Sequence, residues 1–170
     1  MTVAEETPSR AYYGRLTGQW TGRFQLSVVR PEAVGATSLL TRIVALVARW
    51  SGSASMTTTL QEETPNRFQH TTRVTRFGFP LLASSESITL DADGRSFVIE
   101  GWQRFLWLRE PYRAVGQVLD DASGATYPIS WLSAPMEQTT AIEGPTEWPT
   151  LRLRQSTAWS EGEVLLSRTR

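Results

Sequence analysis

Two residues offer chemistry by type and position: the single histidine, His70, and the carboxylate Glu86. Phe68, His70, Thr72 and Val74 recur at every second position, so a strand over this stretch turns the imidazole toward the apolar side. Glu86 lies in the run Ser84 to Leu90, where polar and apolar residues alternate, and shares its face with Ile88 and Leu90. Asp91-Ala92-Asp93-Gly94 then supplies hairpin chemistry, because glycine accepts the positive φ of a tight turn. With an even loop, Phe97 and Ile99 of the following run join the face of Glu86. A carboxylate on the apolar face of a central hairpin is a local conflict that marks a functional group or a salt bridge. His70 reads either as a base or hydrogen-bonding group for a ligand, or as a core histidine satisfied by a neighbouring strand or by Glu86. Glu86 reads either as a ligand-orienting acid with its pKa raised by burial, or as the ion-pair partner of an inward arginine such as Arg76 or Arg104.

The rest of the composition narrows the chemistry. The chain has 170 residues and contains no Cys, so thiolate nucleophiles, disulfides and Cys-ligated metals are excluded. All its basic side chains are arginine, which excludes Schiff-base chemistry on lysine. One histidine with scattered carboxylates makes no zinc site, and neither a phosphate-binding glycine loop nor a nucleophile elbow is present; no cofactor or metal is expected. Seventeen basic residues balance seventeen acidic ones, so net charge gives no case for nucleic acid or an anionic membrane. No apolar run reaches the roughly 18 to 20 residues of a membrane span. The polar, acidic start MTVAEETPSRAYYG lacks the features of a secretory signal, which leads to an expected cytoplasmic location.

The elements that must position His70 and Glu86 are mostly strands. Residues 1–15 are expected to form a flexible leader, and 16–170 a single domain. The first strand runs from Gly18 to Val29, with Trp20, Phe24, Leu26 and Val28 on one face. Thr37 to Trp50 has helical spacing, with Thr37 or Ser38 as cap and Ser51-Gly52 as stop. This helix packs on a sheet or over a barrel mouth, or serves as a lid, a membrane-surface face or a homodimer contact. From Ser53 onward short strands follow at intervals of about ten residues. Glu62 to Asn66, Gly78 to Pro80, Glu110-Pro111 and Asp120 to Gly124 are the expected turns. The pattern is mainly β, a sandwich or barrel. Contiguous hairpins favour a single closed antiparallel barrel of about 8–10 strands with one helix after the first strand.

The inner face carries bulky and isolated polar residues, as a ligand cavity would. Candidate substrate contacts are Phe24, Met56, Phe68, Trp102, Tyr112, Tyr127, Trp131, Met136 and Gln138, with His70 and Glu86 the candidate catalytic pair. The alternative is that these side chains simply fill a small barrel.

Gly18-Gln19-Trp20 resembles the Gly-x-Trp of lipocalin-like (calycin) barrels. That resemblance implies a basic residue on the last strand covering the tryptophan, here Arg168, in a cation–π contact. Ile88-Thr89-Leu90, Asp93-Gly94 and Glu100-Gly101-Trp102 resemble the central hairpin of spirotetronate cyclases, small barrels that fold a linear polyene for a Diels–Alder reaction. This implies a cofactor-independent cyclase or isomerase acting on a mostly apolar, polyketide-like molecule, with lining aromatics shaping the substrate. The competing expectation is a cytoplasmic carrier of a hydrophobic ligand, of lipocalin or fatty-acid-binding type, in which Arg152 or Arg154 could pair with a carboxylate head group, although their alternation with Leu151 and Leu153 more often marks a solvated strand face. A third is a filled interaction domain.

Overall fold

A computed structural model describes residues 6–28, 42, 54–131, 134–158 and 160–169. Ten antiparallel strands close into one barrel. They are β1 (Gly18–Val28), β2 (Ala54–Thr64), β3 (Arg67–Arg76), β4 (Phe79–Leu90), β5 (Ser96–Phe105), β6 (Leu108–Val118), β7 (Gly124–Trp131), β8 (Ala134–Glu143), β9 (Thr150–Ser156) and β10 (Ser160–Arg168). Each strand pairs with its sequence neighbour, and β1 pairs with β10, so the sheet has no free edge. Burial follows the two-residue period of the sequence: Ser160, Gly162, Val164 and Leu166 of β10 face inward while the residues between them meet solvent.

The seam between β6 and β7 is the shortest. Among the described residues only Gln117↔Thr126 and Val118↔Ala125 are paired there, whereas β5 and β6 run together from Ser96↔Gln117 to Phe105↔Leu108.

The central hairpin takes the register its sequence predicts, with Leu90 opposite Phe97, Ile88 opposite Ile99 and Glu86 opposite Gly101. Gly94 adopts φ +75° in the connection, and the Asp93 carboxylate accepts the backbone N–H groups of Arg95 and Ser96 at 2.8 and 2.7 Å.

Two elements differ from expectation. Instead of a flexible leader to residue 15, Pro8–Leu16 forms helix α1. Thr7 caps it and Pro8 occupies its first turn, where a missing N–H costs nothing. Tyr12, Tyr13 and Leu16 are buried, so the helix stoppers one end of the barrel. It is pinned there by Arg10–Glu62 at 2.8 Å, Tyr12–Thr140 at 2.5 Å and the Ser9 N–H on the Gly94 carbonyl at 3.0 Å. The turn expected at Glu110-Pro111 lies instead at Leu106-Trp107, with Leu106 at φ +53°. Pro111 sits within β6 opposite Trp102.

The described helix therefore precedes β1. The helix predicted over 37–50, with its proposed dimer contact, lies outside the described residues except for Arg42, which is helical and exposed. No described helix is long and apolar enough to cross a membrane.

Trp20 is 1% exposed and donates its indole N–H to the Leu16 carbonyl at 2.8 Å. The Arg168 guanidinium lies 5.5 Å from its ring centroid, the contact implied by the Gly-x-Trp resemblance. Arg168 also donates to the Thr17 carbonyl, tying the last strand to the end of α1.

Candidate functional site

Above α1 the barrel is not filled. A cavity of about 160 Å³ remains, walled mainly by apolar side chains. Of the expected contacts, Phe24, Met56, Tyr112, Tyr127, Met136 and Gln138 line it, together with His70 and Glu86.

Three expected contacts are placed differently or not described. Phe68 points inward but lies below the cavity, packed on Tyr13 with ring centroids 5.5 Å apart and capped by Arg10. Trp102 belongs to the outer face. In β5 the inward set is Phe97, Ile99, Gly101, Gln103 and Phe105, which sends residue 102 outward, where Arg109 stacks on its ring at 4.3 Å. The side chain of Trp131 lies outside the described residues.

The polar wall is built by β2, β3 and β4. Antiparallel register sets His70 opposite Leu60 on one side and Glu86 on the other. His70 Nδ1 lies 2.8 Å from Glu86 Oε2, and Nε2 lies 2.6 Å from Thr58 Oγ1. Thr58 Oγ1 is also 3.1 Å from the Thr71 carbonyl and 3.0 Å from Thr72 Oγ1. Tyr112 and Ser84 also hydrogen-bond the Glu86 carboxylate.

Gly101 makes room for this group. A Cβ there would lie 2.2 Å from the Ser85 carbonyl oxygen and 2.8 Å from Glu86 Cα, so only glycine allows the close strand approach beside the carboxylate.

The electrostatics correct one expectation. Burial by itself pushes the Glu86 pKa up, but the charge and hydrogen bond of His70, joined by Tyr112 and Ser84, outweigh it. The carboxyl is held below its ordinary value. Its partner is therefore the histidine rather than an arginine: Arg104 is exposed on the outer face, and Arg76 packs on the Phe77 ring at 4.8 Å. The Tyr112 hydroxyl shifts the opposite way, raised first by burial and then by the neighbouring Glu86 charge. Burial also raises Tyr12, Tyr13 and Tyr127.

An ionised Glu86 accepts only, so Nδ1 carries a proton toward it. Thr58 has one hydroxyl proton to share among the Thr71 carbonyl, Thr72 and the imidazole. Protons in this chain can rearrange without movement of heavy atoms, the property of a relay.

A second polar string, Tyr127–Gln138–Gln155, crosses the opposite wall, with Gln155 donating to Gln138 at 2.8 Å. Thr58 lies on the inner face of β2 with Met56 and Leu60, as two-residue alternation requires. Its chemistry emerges only when the register brings it to the imidazole. Tyr12 and Tyr13 could have been found from the Thr7-Pro8 helix start.

Arg152 and Arg154 lie on the solvated strand face that their alternation with Leu151 and Leu153 marks, paired with Glu143 and Glu163 rather than offered to a head group. Arg152 contacts these at 2.8 and 2.7 Å, and Arg154 contacts Glu163 at 3.1 Å. Among the described residues no three His, Asp or Glu side chains converge as metal ligands.

Fold and interior define a closed ten-stranded antiparallel barrel with two hydrogen-bonded polar strings on the walls of a mainly apolar cavity. By sequence, no family model and no curated protein matches the chain. By structure it is similar to Rv2717c from M. tuberculosis, with a TM-score of 0.57 and 11% identity over 98% of this chain and 100% of that one. At that identity the similarity establishes a shared small-barrel fold. The lipocalin-like barrel implied by Gly-x-Trp ordinarily has eight strands, against ten here.

Proposed function

We propose that the barrel binds a small, mostly apolar molecule and moves a proton on it, acting as a cofactor-independent isomerase or cyclase. The observation that carries this reading is the Thr58–His70–Glu86–Tyr112 chain on the cavity wall. It is a histidine–carboxylate hydrogen bond with a hydroxyl at each end, placed where a bound molecule would touch it. A fold needing only a filled interior gains little from such a group, since a well-packed apolar replacement is often as stable.

Cavity size refines the substrate class. A volume of about 160 Å³ is close to that of an engineered apolar cavity that holds benzene. It suits a substrate of about one ring better than a long polyene. Proton transfer beside a carbonyl is therefore the preferred chemistry, and pericyclic ring closure of a polyketide-like chain the second form of the same reading. The competing function, a carrier of a hydrophobic ligand, is favoured by the predominance of apolar groups in the lining.

Solvent-deuterium incorporation into small cyclic ketones, including β,γ-unsaturated ones, distinguishes these functions when followed by NMR. Exchange catalysed by the native protein and lost in Glu86→Gln and His70→Gln supports the enzyme. Binding of the same ketones without exchange overturns it in favour of the carrier.

A further inference from the structure

The barrel end opposite α1 carries an unusual combination of side chains on two adjacent turns. Phe77 and Phe79 at the β3–β4 turn are 85% and 72% exposed, and Trp107 at the β5–β6 turn is 75% exposed. The turns are neighbours: Leu82 pairs with Phe105, and the Leu106 N–H bonds the Leu81 carbonyl at 2.9 Å. Phe77 also holds φ +48°, a region that bulky side chains seldom occupy. A large aromatic kept exposed in a strained position points to a use for it.

Just below these rings the outer face is basic. The register aligns Arg73, Ala83, Arg104 and Arg109 in one row across β3, β4, β5 and β6. All three arginines are exposed and none is ion-paired among the described residues. Arg104 and Arg109 stand directly opposite each other, an arrangement that destabilises a sheet unless an anion relieves it. The next outer row is Thr71, Ser85, Trp102 and Pro111, without a carboxylate. Only the row after it holds one, Glu100, and that is engaged by Arg113 at 2.9 Å. The balanced charge of the whole chain hides this local excess.

We propose that this rim docks on an anionic lipid bilayer. Phe77, Phe79 and Trp107 would enter the interface, and the Arg73–Arg104–Arg109 row would lie among the lipid phosphates. At about 3.3 Å per residue the rings lie roughly 7–13 Å along the strands beyond the arginine row, and strand tilt in a barrel shortens this toward the roughly 5–10 Å to which interfacial apolar groups are buried. Tryptophan and phenylalanine suit that boundary, and arginine binds phosphate oxygens through a planar fork. An acidic protein surface would satisfy the arginines but would not require three protruding rings. A purely apolar partner would leave the arginine row unused. A bilayer uses both.

The test is co-sedimentation of the full chain with vesicles of phosphatidylcholine alone and of phosphatidylcholine mixed with phosphatidylserine, at low and high salt. Binding to the mixed vesicles, weakened by salt, is expected. Arg104→Gln with Arg109→Gln should weaken it about fivefold for each charge removed. Phe77→Ser with Trp107→Ser should lower it further at either salt. All these positions are exposed, and an unchanged melting curve for each variant excludes unfolding as the cause. The proposal is overturned if neither vesicle binds, or if the variants bind as the native chain does. It is also overturned if the aromatic substitutions abolish self-association seen by light scattering while vesicles stay unbound. None of these outcomes depends on deuterium exchange in the cavity, so the two readings stand or fall separately.

Discussion

His70 Nδ1 and Glu86 Oε2 lie 2.8 Å apart although their residues are sixteen positions apart in the chain. Antiparallel pairing of β3 with β4 makes them direct neighbours, and both side chains reach the cavity through the pleat. Register and pleat together put a charge-assisted bond in a largely apolar interior, where it is strong and where losing one partner is expensive.

Removing one partner should cost more than removing both. His70→Ala leaves a buried carboxylate facing an empty space and should destabilise the barrel by about 3 kcal/mol. The double variant His70→Leu with Glu86→Leu should recover most of that loss, because no buried charge remains. Denaturant unfolding of the native chain, the single variant and the double variant measures this. A double variant less stable than the single one would contradict a mainly electrostatic account.

The pH dependence has a definite sign on each side. Folding holds Glu86 below its ordinary value of 4.5, so the unfolded chain binds more protons in that range. The stabilisation is present above pH 4.5 and is lost as the pH falls through the lowered folded value. On the alkaline side Tyr12, Tyr13, Tyr112 and Tyr127 are all raised above 10.0, so the folded state keeps protons that the unfolded chain releases, and stability falls as the pH rises past that value. Melting temperature against pH, with phenolate absorbance at the alkaline end, checks both limbs. Glu86→Gln should flatten the acid limb and leave the alkaline one.

Sequence periodicity made most of the wall readable, because a half-buried strand must alternate. Glu86, Ile88, Leu90, Phe97 and Ile99 share the inner face as their spacing requires. The same rule would have moved Trp102 outward. It lies an odd number of residues from Ile99 in one unbroken strand, so its large ring belongs to the outer face despite its apolar bulk. The β5–β6 turn was hidden because Leu106 and Trp107 carry no turn chemistry, whereas Pro111 does and yet sits in a strand. Helix α1 is short and its apolar residues are mostly tyrosines, so only the Thr7-Pro8 start announced it. Cross-strand partners such as Thr58 and His70 depend on register, which no local pattern supplies.

Closing the barrel base should be a large contribution of α1. Tyr13 touches the rings of Phe68 and Phe97 at centroid distances of 5.5 and 5.2 Å and is 3% exposed. Tyr13→Ala should cost about 3–5 kcal/mol, the range for large aromatic truncations in a core. Tyr12→Phe removes only the hydroxyl bonded to Thr140 and should cost about 1 kcal/mol. Thermal or denaturant unfolding of both variants tests whether the helix belongs to the cooperative unit. Two small, equal effects would mean that it does not.

The two faces of the β5–β6 hairpin give the sharpest contrast for the cavity. Tyr112 lines the interior and bonds Glu86, while Trp102, one residue along from the inward Gly101 that pairs with Tyr112, stacks under Arg109 outside. Tyr112→Phe keeps the ring but removes a donor to the carboxylate. The Glu86 pKa should rise, and deuterium exchange into a bound ketone should shift toward higher pH. Trp102→Ala empties no part of the cavity, so ketone affinity and the exchange profile should both match the native chain. The two pH profiles, read beside unfolding curves, separate an interior role from a surface one. If Trp102→Ala weakened ketone binding while Tyr112→Phe left it and the profile untouched, the ligand would lie outside the barrel and the relay would have no part in its chemistry.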